Sequence, residues 1–75
     1  MGAREHIGRR IRETRKLAKV RVRELAAALG VVPRTVRRWE LGRNSASIET
    51  LEAIADYLGV SRAWLITGQG EARAA

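Results

Sequence analysis

Leu25-Ala26-Ala27-Ala28-Leu29-Gly30-Val31-Val32-Pro33-Arg34-Thr35-Val36-Arg37-Arg38-Trp39-Glu40-Leu41-Gly42 reads as a short helix, a tight turn and a second short helix. Stepping about 100° per residue from Pro33 to Leu41 puts Thr35, Val36, Trp39 and Glu40 on one side. Pro33, Arg34, Arg37, Arg38 and Leu41 fall on the other. A helix with so narrow an apolar face, and arginines opposite it, has a task besides filling a core. Gly30 stands where the first helix must stop and suits a left-handed C′ position. Pro33 suits the first helical position, where a missing N–H costs nothing. The two helices are therefore predicted to cross steeply, packed through Leu25, Ala26, Leu29, Val36 and Trp39, with the small Ala26 allowing the axes to approach.

On the N-terminal side, residues 1–4 read as a flexible arm, followed by a helix from Glu5 to Ala18 that buries Ile7, Ile11, Thr14 and Ala18. Lys19 ends it, and the next helix spans Val22 to Leu29. Arg21 and Val32 occupy the N-cap positions of the two central helices, and neither side chain can accept the bond that Ser or Thr would, a loss of about 1 kcal/mol each. Val20 against Leu25 and Glu24 in the first turn offset part of this at Arg21. Packing rather than capping is thus expected to set these ends. On the C-terminal side, Ser47 caps a helix from Ile48 to Leu58, with Ile48, Leu51, Ile54, Ala55 and Leu58 inward and Glu49, Glu52 and Asp56 outward. Gly59 closes it, and Ser61 and Gly68 bracket a last helix, Arg62 to Thr67, that presents Trp64 and Leu65 to the core. Residues 69–75 carry no pattern and read as a flexible tail. The predicted fold is all-α: one compact five-helix domain over residues 5–68, with one core and no strand.

Composition narrows the function. The chain has no cysteine and one histidine, so disulfides and thiolate metal sites are excluded and neither metal nor cofactor is expected. No apolar run approaches a membrane span and the Arg-rich start lacks the apolar stretch of a signal peptide, so a cytoplasmic location is expected. His6 lies on an outward face, and no nucleophile, base and acid converge, so catalysis is not expected. Trp39 and Trp64 lie at core spacing rather than base-stacking spacing, and Gly68-Gln69-Gly70 is too short for a phosphate loop. The net charge is +7, and it is unevenly spread: residues 1–44 hold thirteen Lys or Arg against four Asp or Glu, residues 45–75 two against four. A basic half of this kind, with no large apolar stripe behind it, suits nucleic acid better than a membrane surface.

Leu25-Ala26, Leu29-Gly30-Val31, Val36, Glu40 and Gly42 resemble the helix-turn-helix of the lambda repressor and Cro class, the xenobiotic-response-element family. The likeness extends from Ile7-Gly8 through Arg15, Ile48-Glu49-Thr50-Leu51, Ile54-Ala55 and Leu58-Gly59-Val60-Ser61 to Trp64-Leu65, nearly the whole chain. Arg21-Val22 departs from the family's usual Ser-Gln, Val32 from its Ser or Thr, and Ala46 from its frequent Pro.

The resemblance implies a transcriptional regulator, a repressor, that binds double-stranded DNA with its third helix in the major groove. It places Pro33, Arg34 and Arg38 at base-facing positions with Arg37 beside them, and an ion pair between Arg15 and Glu40, both of which fall at the inner edge of their helical wheels. Arginine matches the paired acceptors of guanine, so G-containing half-sites are expected, while Pro33 offers only apolar contact. Arg21, Arg23, Arg43 and the Asn44 backbone are the expected phosphate contacts. One recognition helix reads too few base pairs to select an operator, so a weak homodimer on a palindromic site is expected. Its expected interface is the Asn44–Ser47 loop with Ala63 and Ile66 on the outer face of the last helix. When bound, the protein would be associated with the nucleoid. Two other classes stand beside this: a weakly specific nucleic-acid binder, and a protein-interaction module of antitoxin or coactivator type.

Overall fold

A computed structural model describes residues 2–73. Among them the helices are α1 (Ala3–Leu17), α2 (Val22–Leu29), α3 (Pro33–Glu40), α4 (Ile48–Leu58) and α5 (Arg62–Thr67). These residues form no strand, only an isolated antiparallel bridge between Val60 and Arg73. α3 lies between α1 and α2, and α4 and α5 close the opposite side.

The central pair has the predicted bounds because its punctuation is local. Gly30 takes the left-handed C-cap at φ 71°, and Pro33 opens α3. Neither the Arg21 nor the Val32 side chain caps its helix. Glu24 instead accepts the backbone N–H of Arg21 at 2.8 Å. Leu41, expected as the last residue of α3, is its C-cap. Ser47 and Ser61 do cap α4 and α5, accepting from Thr50 N at 3.1 Å and Trp64 N at 3.2 Å.

Ile11, Leu25, Ala26, Val36, Trp39, Leu51, Ile54, Ala55, Leu58 and Leu65 form one buried cluster drawn from all five helices. Leu29 and Trp64, expected inside, are only partly buried against its edge. Ile48, also expected inside, is 56% exposed, because the first residue of α4 projects past the end of a core that begins one turn later at Leu51. Ala18 is exposed as the C-cap of α1 rather than buried within it.

Within both segments read as flexible, some of the described residues make hydrogen bonds. α1 begins at Ala3, earlier than Glu5, because the Glu5 carboxylate reaches back to accept the Gly2 backbone N–H at 2.9 Å. That bond holds the Glu5 carboxyl below the usual carboxylate range. After α5, Gly68 and Gly70 adopt positive φ and turn the chain back. Ser61 N–H then donates to the Ala72 carbonyl at 2.8 Å, so residues 69–73 run beside the α4–α5 turn instead of trailing away. The rest of the expected tail, residues 74–75, and Met1 of the expected arm lie outside the described residues.

Candidate nucleic-acid interface

The candidate surface is the outer face of α3, and its placement starts with a glycine on α1. Gly8 is buried against the backbone at the end of α3. A Cβ there would collide with the Trp39 carbonyl and stand 2.7 Å from the Glu40 carbonyl oxygen. Absence of a side chain at Gly8 thus lets the α1 backbone lie directly against α3. From the other side, α2 packs on α3 with the fully buried Leu25 and Val36 in the shared core.

An ion pair completes the attachment. Arg15 Nε donates to Glu40 Oε2 at 2.7 Å and Nη2 to Oε1 at 3.2 Å, a two-toothed contact. The two side chains are 12% and 6% exposed. Arg15 Nη1 also donates to the Val20 carbonyl at 2.9 Å, which ties the α1–α2 turn to the same group. Glu40 is the last residue of α3, so the pair anchors the C-terminal end of the helix to α1.

With its inner face so occupied, α3 turns Arg34 and Arg37 to solvent and leaves Arg38 and Pro33 half-buried. Arg21, Arg23 and Arg43 are exposed as well. Among the described residues, none of these arginines is in an ion pair with a carboxylate. By contrast the acidic side of α4 is partly neutralised: Arg62 donates to both carboxylate oxygens of Asp56 at 2.9 and 2.7 Å, which holds that carboxyl below its ordinary range. The molecule is therefore electrically two-sided, with unneutralised cations on and beside α3.

Two contacts at this surface, and one arginine beside it, go beyond what the sequence analysis names. Arg38 Nε and Nη2 both donate to Asn44 Oδ1, at 3.2 and 3.1 Å, so the side chain of Asn44 bonds an α3 arginine as well as its backbone standing in the loop. Arg4, assigned to the flexible arm, donates from Nη1 to the Arg43 carbonyl at 3.5 Å. Arg12 lies with Arg37, Glu40 and Leu41 around a shallow groove between α1 and α3. Arg12 had a usable signal, since it sits one turn before Arg15 on a helix implied to pair with Glu40. Arg4 had none, because its partner is 39 residues away.

No group of His, Cys, Asp or Glu among the described residues is placed to hold a metal ion. No helix among them is long and apolar enough to cross a membrane.

Residues 11–65 match the helix-turn-helix family. Among solved structures, the chain is similar to the clp gene regulator ClgR from Corynebacterium glutamicum, with 35% identity and a TM-score of 0.83 over 87% of this chain and 69% of that one. It is similar also to the P22 c2 repressor, solved in complex with a synthetic operator, with 32% identity and a TM-score of 0.77 over 84% of this chain and 96% of that one. A third likeness is to HppE, solved in complex with its substrate, with 31% identity and a TM-score of 0.78; it covers 85% of this chain but only 36% of HppE. No curated protein matches the chain in sequence.

Proposed function

Because this chain belongs to the helix-turn-helix family, we propose that it is a transcriptional regulator, a repressor, which binds double-stranded DNA by placing α3 in the major groove. The observation that carries this reading is α3 itself. Its inner face is fixed on both flanks and at its C-terminal end, while its outer face holds Arg34, Arg37 and Arg38 with no carboxylate partner among the described residues. An α-helix with its side chains is about 10–12 Å across, so α3 fits a groove about 12 Å wide. Similarity to a regulator and to an operator-bound repressor supports the same reading. The likeness to HppE covers too little of that chain to bring its chemistry here. The protein is thus read as non-catalytic, acting in the cytoplasm at the nucleoid.

In this reading Arg34, Arg37 and Arg38 meet base edges, Pro33 makes apolar contact, and Arg21, Arg23, Arg43 and the Asn44 backbone hold phosphates. Selection of bound duplexes from a random pool tests it, and a recovered consensus with guanine in each half-site is the expected result. Arg34→Ala and Arg38→Ala should each lose about 1–3 kcal/mol on that site and relax one base preference. Arg43→Ala should weaken all sequences alike and make the salt dependence shallower by about one. Equal losses on selected and random duplexes for all three would replace this reading with a weakly specific binder.

We further propose that the chain acts as a weak dimer on a two-fold symmetric site. Proteins of this motif that pair on DNA set their recognition helices about 34 Å apart, one turn of the duplex, and a domain spanning 30 × 26 × 21 Å leaves room for two copies on adjacent half-sites. The expected interface needs one revision. Ile66 is partly buried against the core and its carbonyl accepts Arg10 Nη2 at 3.1 Å, so the exposed Ala63 and Ser45 are the better test positions. Ala63→Asp is expected to lower affinity for the full site while leaving the melting temperature unchanged. Sedimentation should give two chains per duplex, and tight binding of one chain to an isolated half-site would refute the dimer.

A further inference from the structure

We propose that Asn44 is a positioning residue for base reading: its side-chain oxygen holds the Arg38 guanidinium in the pose that reads guanine. This rests on the duplex-DNA reading above and adds the residue that sets one of its specificities. The observation is the pair of bonds from Arg38 Nε and Nη2 to Asn44 Oδ1, at 3.2 and 3.1 Å. A guanidinium only donates, so the atom of Asn44 that faces it must be the carbonyl oxygen rather than the amide nitrogen.

The chemistry follows from the shape of the fork. Arginine offers two edges with a pair of near-parallel donors: the side edge, Nε with Nη2, and the end edge, Nη1 with Nη2. Asn44 takes the side edge. What remains for an incoming base is the end edge, whose two donors match the O6 and N7 acceptors of guanine. Asn44 therefore both restricts the rotamers of a long side chain before binding and selects which edge it presents. Among the described residues Arg34 and Arg37, on the same helix face, have no such side-chain partner. Arg38 is also the half-buried one of the three. The loop has the means to keep Asn44 in place, since Arg43 N–H donates to the Arg38 carbonyl at 2.9 Å, closing the turn directly after α3.

The test measures base preference with the full chain and duplexes varied one position at a time around the selected consensus. Arg38→Ala identifies the position that Arg38 reads by flattening its guanine preference. Asn44→Ala should reduce preference at that same position about two- to tenfold, the change expected when one long side chain must be ordered on binding. Preferences at the other positions and the melting temperature should be unchanged. Asn44→Ala should add nothing to Arg38→Ala, and Asn44→Asp, which keeps the acceptor, should retain the preference while weakening all sequences through its negative charge. The proposal is overturned if Asn44→Ala leaves the Arg38-dependent preference intact, if it weakens every sequence equally, or if Arg38→Ala flattens no position. A chain that selects no duplex sequence at all would instead overturn the functional reading, and this inference with it.

Discussion

Replacing Glu40 with alanine is expected to destabilise the domain by about 3–5 kcal/mol, because it strands an arginine that is largely removed from water. Arg15 is 12% exposed at its side chain and keeps only the Val20 carbonyl once the carboxylate is gone. A surface ion pair of the kind seen between Arg9 and Glu13, both more than half exposed, would contribute at most about 1 kcal/mol. Burial makes the difference: water cannot replace the lost partner without opening the α1–α3 contact. For a domain of this size such a loss lowers the melting temperature by about 4–8 °C per kcal/mol. Chemical denaturation of Glu40→Ala, Arg15→Ala and the double variant checks it. The cycle should show a large coupling, with the double variant far less damaged than the sum of the singles. Additive losses would mean that the two side chains act independently. The consequence for function is global, since a loss of this size populates the unfolded chain as well as freeing the end of α3; Glu40→Ala should therefore weaken selected and random duplexes together.

Truncation of Trp39 to alanine is expected to cost about 3–5 kcal/mol, as a large buried aromatic. Trp39 is 8% exposed and lines, with Ile7, Ile11 and Leu51, the junction where α1, α3 and α4 meet. The loss is best judged against the total. A chain of 75 residues has an overall stability of about 4–11 kcal/mol, so removing this ring takes between about a quarter and all of it. Trp39→Ala should accordingly be largely unfolded at 37 °C, whereas Trp39→Phe, which keeps an aromatic ring in the same place, should remain folded. An alanine variant that kept the parent melting temperature would show that the ring is not part of the core. Together the two predictions separate the supports of α3: packing holds its middle, and the ion pair holds its end.

Features whose cause lies within one turn of chain are legible in the amino-acid sequence. Ser47, Ser61, Gly30 and Gly59 bound their helices as expected, because a cap or a left-handed residue acts on neighbours three or four positions away. The division of α3 into an inner Val36 and Trp39 and an outer Arg34 and Arg37 follows from the helical period alone. The basic half of the chain, and with it the expectation of a polyanionic partner, follows from counting charges. Arg15 and Glu40 are legible in a different way: the wheels put each at an inner margin, and only the family likeness joins them.

What folding alone settles is most of the contacts between residues far apart in the chain. Arg10 donates to the Leu65 carbonyl at 2.9 Å and to the Ile66 carbonyl at 3.1 Å, over 55 and 56 residues, satisfying the end of α5 from α1. Gly8 lies under the Trp39 and Glu40 carbonyls, and Ser61 takes the Ala72 carbonyl. The choice by Arg38 of Asn44, only six residues on, rather than open solvent, is likewise not given by the helical period. Periodicity states which face of a helix is apolar, but it is unchanged when the partner helix slides or rotates, so it says nothing of which backbone or side chain is met there. Those meetings depend on the summed packing of all five helices, and at this surface they determine how the arginines of α3 are held.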